Sequence, residues 1–145
     1  MKPFLIAVLA AALLAGGAAG AGAVTIPVVD PDTYQSDLRV AGTALVKLGN
    51  TLERNDSGAA IRRQAPSLRR LLFSFDRRMY AMSRYRLEDP EVNAQRARVA
   101  RAGLALSVPM SAFLDAVLLD QQPKIDRLAH TVLARLGAVA RALEA

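Results

Sequence analysis

Apolar residues recur along this chain at alternating steps of four and three, the period of a helix that buries one face. Tyr34, Leu38, Ala41, Leu45, Leu48 and Leu52 form the first such stripe and predict a helix from about Thr33 to Arg54. Ile61, Ala65, Leu68, Leu72, Phe75, Met79 and Met82 form the second, over about Ala59 to Arg86. Pro66 falls early in it, so that helix either begins there or bends there, because a proline nitrogen donates nothing to the preceding turn. Glu88-Asp89-Pro90-Glu91 opens a third helix, with acids and proline in its first turn. Its stripe of Val92, Val99 and Leu106 is thinner, and Pro109 is expected to end or kink it. Met110 to Asp120 reads as a short apolar helix. Ile125, Ala129, Val132, Leu136, Val139 and Leu143 mark a last one, over Lys124 to Leu143.

Asn55-Asp56-Ser57-Gly58 and Gln121-Gln122-Pro123 punctuate these segments. Before them, Val24 to Val29 is β-prone but contains Pro27, which confines it to an extended arm or a sheet edge. Asp30-Pro31-Asp32-Thr33 then reads as a helix start. No strand pattern of useful length follows residue 30. The expected fold is all-α: a helical bundle of three to five helices with coiled-coil-like seams and an extended N-terminal arm.

The first residues are expected to lie outside that fold. Lys2 supplies a short positive start, Phe4 to Ala15 is an unbroken apolar run, and Ala21-Gly22-Ala23 is a small-residue cleavage pattern. The run is short for a membrane span, which needs about 20 residues. The chain therefore divides into a cleaved secretory signal peptide at 1–23, an arm at 24–32 and a bundle at 33–145. The exported product is expected in the periplasm or outside the cell.

Composition narrows the chemistry. Among 145 residues there is no Cys and no Trp, and one His. The missing thiols exclude disulfides, thiolate metal sites and a Cys nucleophile. His130 follows Asp126 by one helical turn, but no further ligand accompanies the pair, so a structural role is expected. Capping explains most of the acids, no Ser sits in a G-x-S-x-G setting, and no Gly-rich phosphate loop follows residue 23. Hence no catalytic residue, no cofactor-binding residue and no metal site is expected, and the protein is read as no enzyme.

Charge is uneven. The net charge is +6, and Arg outnumbers Lys 16 to 3. Residues 24–59 carry a net −2, residues 60–101 a net +7, and residues 102–145 balance. Arg63, Arg70, Arg77 and Arg84 are spaced seven apart, with Arg62, Arg69 and Arg78 beside them, forming a ridge that flanks the second stripe. That ridge is either a solvated rim whose stems cover the core edge or a docking face for an acidic partner. Without interleaved aromatics it argues against nucleic acid. The uncharged run from Ala102 to Leu114, with Val117-Leu118-Leu119 after it, is either buried core, a subunit contact or a membrane-touching surface.

The stretch Ile26-Pro27-Val28-Val29-Asp30-Pro31-Asp32-Thr33-Tyr34-Gln35 is similar to the mature N-terminus of the minor pilins of type IV secretion and conjugation systems, including the TrbJ-type conjugal transfer proteins. The resemblance covers some 12 residues closely. It implies an exported helical subunit of such an apparatus, at the tip or base of a pilus, assembling with other secretion or pilus subunits and as a homo-oligomer. Its partner-binding residues would be Ile26, Val28, Val29, Asp30, Pro31, Tyr34 and Gln35. The alternative is a periplasmic binding protein that uses its Arg face for anionic lipid, cell wall or client proteins.

Overall fold

The computed structural model describes residues 25–54 and 57–145. The signal-peptide reading and the Asn55-Asp56 part of the predicted turn lie outside them. Each helix start is written locally. Asp30 caps α1, Pro31–Glu53, its carboxylate accepting the Thr33 N–H at 2.8 Å, while Pro31 occupies a first-turn position that needs no donor. α1 thus begins two residues earlier than the apolar stripe predicts. Ser57 caps the short α2, Gly58–Arg63, through the Ala60 N–H. α3 spans Ala65–Ser83. Asp89 caps α4, Pro90–Leu118, accepting from the Glu91 and Val92 N–H groups. α5 spans Gln122–Glu144. The fold is the expected all-α bundle, with five helices among the described residues.

Two prolines act differently from each other. At Pro66 the expected start or bend is a break: α2 ends at Arg63, and Gln64 takes φ −89° and ψ 0° before α3 restarts. The Arg62 carbonyl would have needed a donor at residue 66, and proline has none. At Pro109, by contrast, the helix does not end: it runs on to Leu118, so the separate 110–120 helix is the last part of α4. The proline leaves the Ala105 carbonyl without its helical donor, but Ala105 is exposed and water can serve it. Leu106, Met110 and Leu114 are buried on both sides of the proline and tie both parts of the helix to the core. Burial of side chains of that size stabilises by about 1.5–3 kcal/mol each.

The four long helices lie side by side in the order α1, α3, α4, α5. Cross-links fix their senses. Asp37 early in α1 meets Arg78 late in α3, and Arg69 early in α3 meets Asp115 late in α4. Gln95 early in α4 donates to the Leu143 carbonyl at the end of α5. Successive long helices are therefore antiparallel. Leu68, Leu72, Phe75, Met79 and Met82, the predicted stripe of α3, supply the central core. Gly103 of α4 lets the α3 and α4 backbones approach: a Cβ there would lie 2.1 Å from Met79 Sδ.

Candidate interaction surfaces

The arm is seated at one end of the bundle. The Val29 N–H donates to the Arg86 carbonyl and the Arg86 N–H donates to the Pro27 carbonyl, each at 3.0 Å, so Val28 and Arg86 pair as a parallel bridge. Pro27 contributes its carbonyl alone, which suits a residue without a donor. Between the arm and the α3–α4 connection lies a groove of about 580 Å³. Its floor is Val28, Val29, Pro31, Leu87 and Val92, and its rim carries Asp30, Glu88 and Asp89. Ile26 and Val28 are exposed. Asp30 is held below the usual carboxylate range by its hydrogen bonds from the Thr33 N–H and hydroxyl. Gln35 is exposed on α1. Tyr34, assigned to the contact set from sequence, is 1% exposed and belongs to the core, where its hydroxyl reaches Gln95 at 3.4 Å. It is closed to a partner.

Beneath the arm, polar side chains are buried where the stripes predict none. Of the first stripe, Tyr34, Ala41 and Leu48 are buried and Leu38, Leu45 and Leu52 are half-buried against the core, while Asp37 and Ala44, outside the stripe, are buried too. Asp37 accepts from Arg78 at 2.9 Å and from the Tyr85 hydroxyl at 3.0 Å. Arg96 is buried too, donating to the Met82 carbonyl and to Asn93 while lying against the Tyr85 ring. Burial, and then the bond to Asp37, push the Tyr85 phenol well above its ordinary pKa. Burial likewise raises Tyr34 and lowers Arg96. Each of these groups is spent on another, so the cluster joins α1, α3 and α4 rather than presenting a reactive atom. Sequence signals for it are weak: Asp37 occupies an i+3 position after Tyr34 that an apolar count skips.

The structure divides the Arg ridge. Arg62 and Arg63 lie on α2, off the α3 helix, because the backbone breaks at Gln64. Arg69 is paired with Asp115 and Arg78 with Asp37, both at 2.9 Å. Arg70, Arg77 and Arg84 have no carboxylate in ion-pair range among the described residues. At 100° per residue these three share an arc opposite the buried face of α3, and Phe73 and Tyr80 share it with them. Phe73 is 68% exposed and Tyr80 45%. Arg84 donates to the Tyr80 hydroxyl at 2.6 Å and sits 5.4 Å from its ring centre. The reading of a basic ridge without interleaved aromatics is thereby corrected: Phe73 and Tyr80 fall between its cations, and only the register of α3 turned them outward.

The apolar 102–119 segment is core along one face. Gly103, Leu106, Met110, Leu114, Ala116 and Val117 are buried, with Val108 and Leu119 exposed. α4 is long and apolar enough to cross a membrane by length and composition, and a third of its most apolar window is buried. Here α3 and α5 both pack along it. Asp126 accepts from Gln122 at 2.9 Å rather than pairing with His130, and both residues are exposed. Among the described residues no group of three or more metal-ligating side chains converges. Comparison with family models, with curated proteins and with solved structures finds no match to this chain.

Proposed function

We propose that the protein works by binding rather than by catalysis, as an exported structural subunit of a type IV secretion or conjugative pilus apparatus. The observation that carries this reading is the arm. Two backbone hydrogen bonds hold it against the α3–α4 connection, leaving Ile26 and Val28 exposed beside an apolar groove with an acidic rim. A pre-ordered arm has already lost the conformational freedom that assembly would otherwise cost. The buried polar groups support it as well, since each is consumed in holding helices together. Affinity purification of the tagged chain from its own cells, after mild cross-linking, should recover pilus or channel components, and Val28→Glu should lose them. A chain that purifies alone from the periplasm, or stays in the cytoplasm uncleaved, overturns the reading. The unpaired Arg70, Arg77 and Arg84 favour a second one, a periplasmic protein that uses this face for an anionic partner.

A further inference from the structure

We propose that the outer stripe of α3 docks the bundle on an anionic lipid bilayer, with Phe73 and Tyr80 entering the headgroup layer and Arg70, Arg77 and Arg84 pairing with lipid phosphates. The inference rests on the second reading above and names its partner.

The stripe is a convex ridge, not a cleft. From Arg70 to Arg84 it extends roughly 21 Å at the helical rise. A straight ridge of that shape can lay all five side chains at once on a broad, yielding surface. Cation and aromatic alternate along it, and the types suit a membrane interface. Guanidinium groups bind phosphate oxygens in a two-pronged geometry. Phe73 stands out from the helix with most of its surface bare. Tyr80 joins an apolar ring to a polar tip, the combination found at headgroup depth. Its hydroxyl already accepts from Arg84, so ring and cation would arrive at the surface as one unit.

The neighbouring surface has the same sign. A groove of about 340 Å³ between α1 and α3 is lined by Arg39, Lys47, Val40 and Leu71 among others, and by no carboxylate. The cations that do have carboxylate partners, Arg69 and Arg78, flank the stripe on either side. Neutralisation is thus confined to the helix flanks, and the outward arc keeps its full charge. An interfacial helix of this kind binds by apolar insertion and attraction to anionic lipid together.

The test compares full-length chains that differ only on α3, so that every other segment contributes equally. Co-sedimentation should show binding to mixed phosphatidylglycerol–phosphatidylcholine vesicles and much less to phosphatidylcholine alone. Each of Arg70→Gln, Arg77→Gln and Arg84→Gln should weaken it about fivefold. Phe73→Ala should weaken it about tenfold. Arg69→Gln, off the stripe, should change it little, with circular dichroism confirming that all variants are folded. Because the chain has no Trp, Phe73→Trp reports depth directly. Its emission should shift to the blue on anionic vesicles. No vesicle binding, binding indifferent to these substitutions, or binding without that shift overturns the proposal. Soluble polyglutamate and single-stranded oligonucleotide serve as further probes. Stripe-dependent capture of either, without vesicle binding, sinks the lipid inference while the basic-face reading stands. Capture of none sinks both.

Discussion

Gly103→Ala reverses sign with its neighbour. In an exposed helix interior the change gains about 1 kcal/mol, because Ala has less backbone freedom to lose. At Gly103 the added Cβ would lie 2.1 Å from Met79 Sδ, 2.5 Å from Met79 Cγ and 3.3 Å from Phe75 Cζ. Met79 is 2% exposed, so its side chain can move aside only within the core. Overpacking of this kind costs about 1–3 kcal/mol. The net expectation is a loss of roughly 0–2 kcal/mol after the helical gain is subtracted. Met79→Ala alone should cost about 2–5 kcal/mol, through lost burial and the cavity left behind. In that background the clash is gone, and Gly103→Ala should stabilise by up to about 1 kcal/mol. The pair should therefore show a coupling of about 2 kcal/mol in a double-mutant cycle. Urea unfolding followed by circular dichroism at the helical minimum reads all four proteins. A Gly103→Ala protein more stable than the parent, or an effect equal in both backgrounds, would refute the close approach of α3 to α4.

Four further outcomes concern the polar groups between the helices. Asp37→Ala leaves the Tyr85 hydroxyl without its acceptor and should cost about 2–3 kcal/mol in thermal or urea unfolding. Arg78→Gln should cost less, since that side chain is 41% exposed and water can replace the lost pairing. Tyr85 holds its proton more tightly folded than unfolded, so its contribution is fully present below pH 10, the ordinary phenol value, and is lost as pH rises beyond it. Tyr85→Phe should flatten that alkaline decline while lowering stability at neutral pH. Asp76 is raised by burial, with the Ser107 hydroxyl at 2.5 Å opposing the shift. Its contribution is therefore present below about pH 4 and lost as pH climbs through the elevated value. Asp76→Asn keeps an acceptor for Ser107 and should exceed the parent in stability at pH 7, the gap closing in acid.

Local rules written into neighbouring residues were legible. The caps at Asp30 and Asp89 satisfy N–H groups two or three residues ahead, so their chemistry is complete within a single turn. The α3 core line from Leu68 to Met82 was legible for a related reason: a helix buries the face on which apolar residues recur, whatever it packs against. In α1 the same counting chose Leu38, Leu45 and Leu52, whereas the deepest positions include Asp37. A carboxylate enters a core only when its partners are already there, and Arg78 and Tyr85 come from far along the chain.

The candidate surface divides along the same line. Seven-residue spacing alone determined that Arg70, Arg77 and Arg84 share one side of a helix. Which Arg would be neutralised depended on the carboxylates of other helices, and tertiary packing brought Asp115 to Arg69 and Asp37 to Arg78. Pro109 obeyed the fold as well, its missing hydrogen bond outweighed by the burial of Leu106, Met110 and Leu114 around it. The sequence by itself thus determined the helix starts at Asp30-Pro31 and Asp89-Pro90 and the face that α3 buries, because those depend on residues a few positions apart. The tertiary structure decided which charges stay free, since a pairing energy exists only once two distant segments have met.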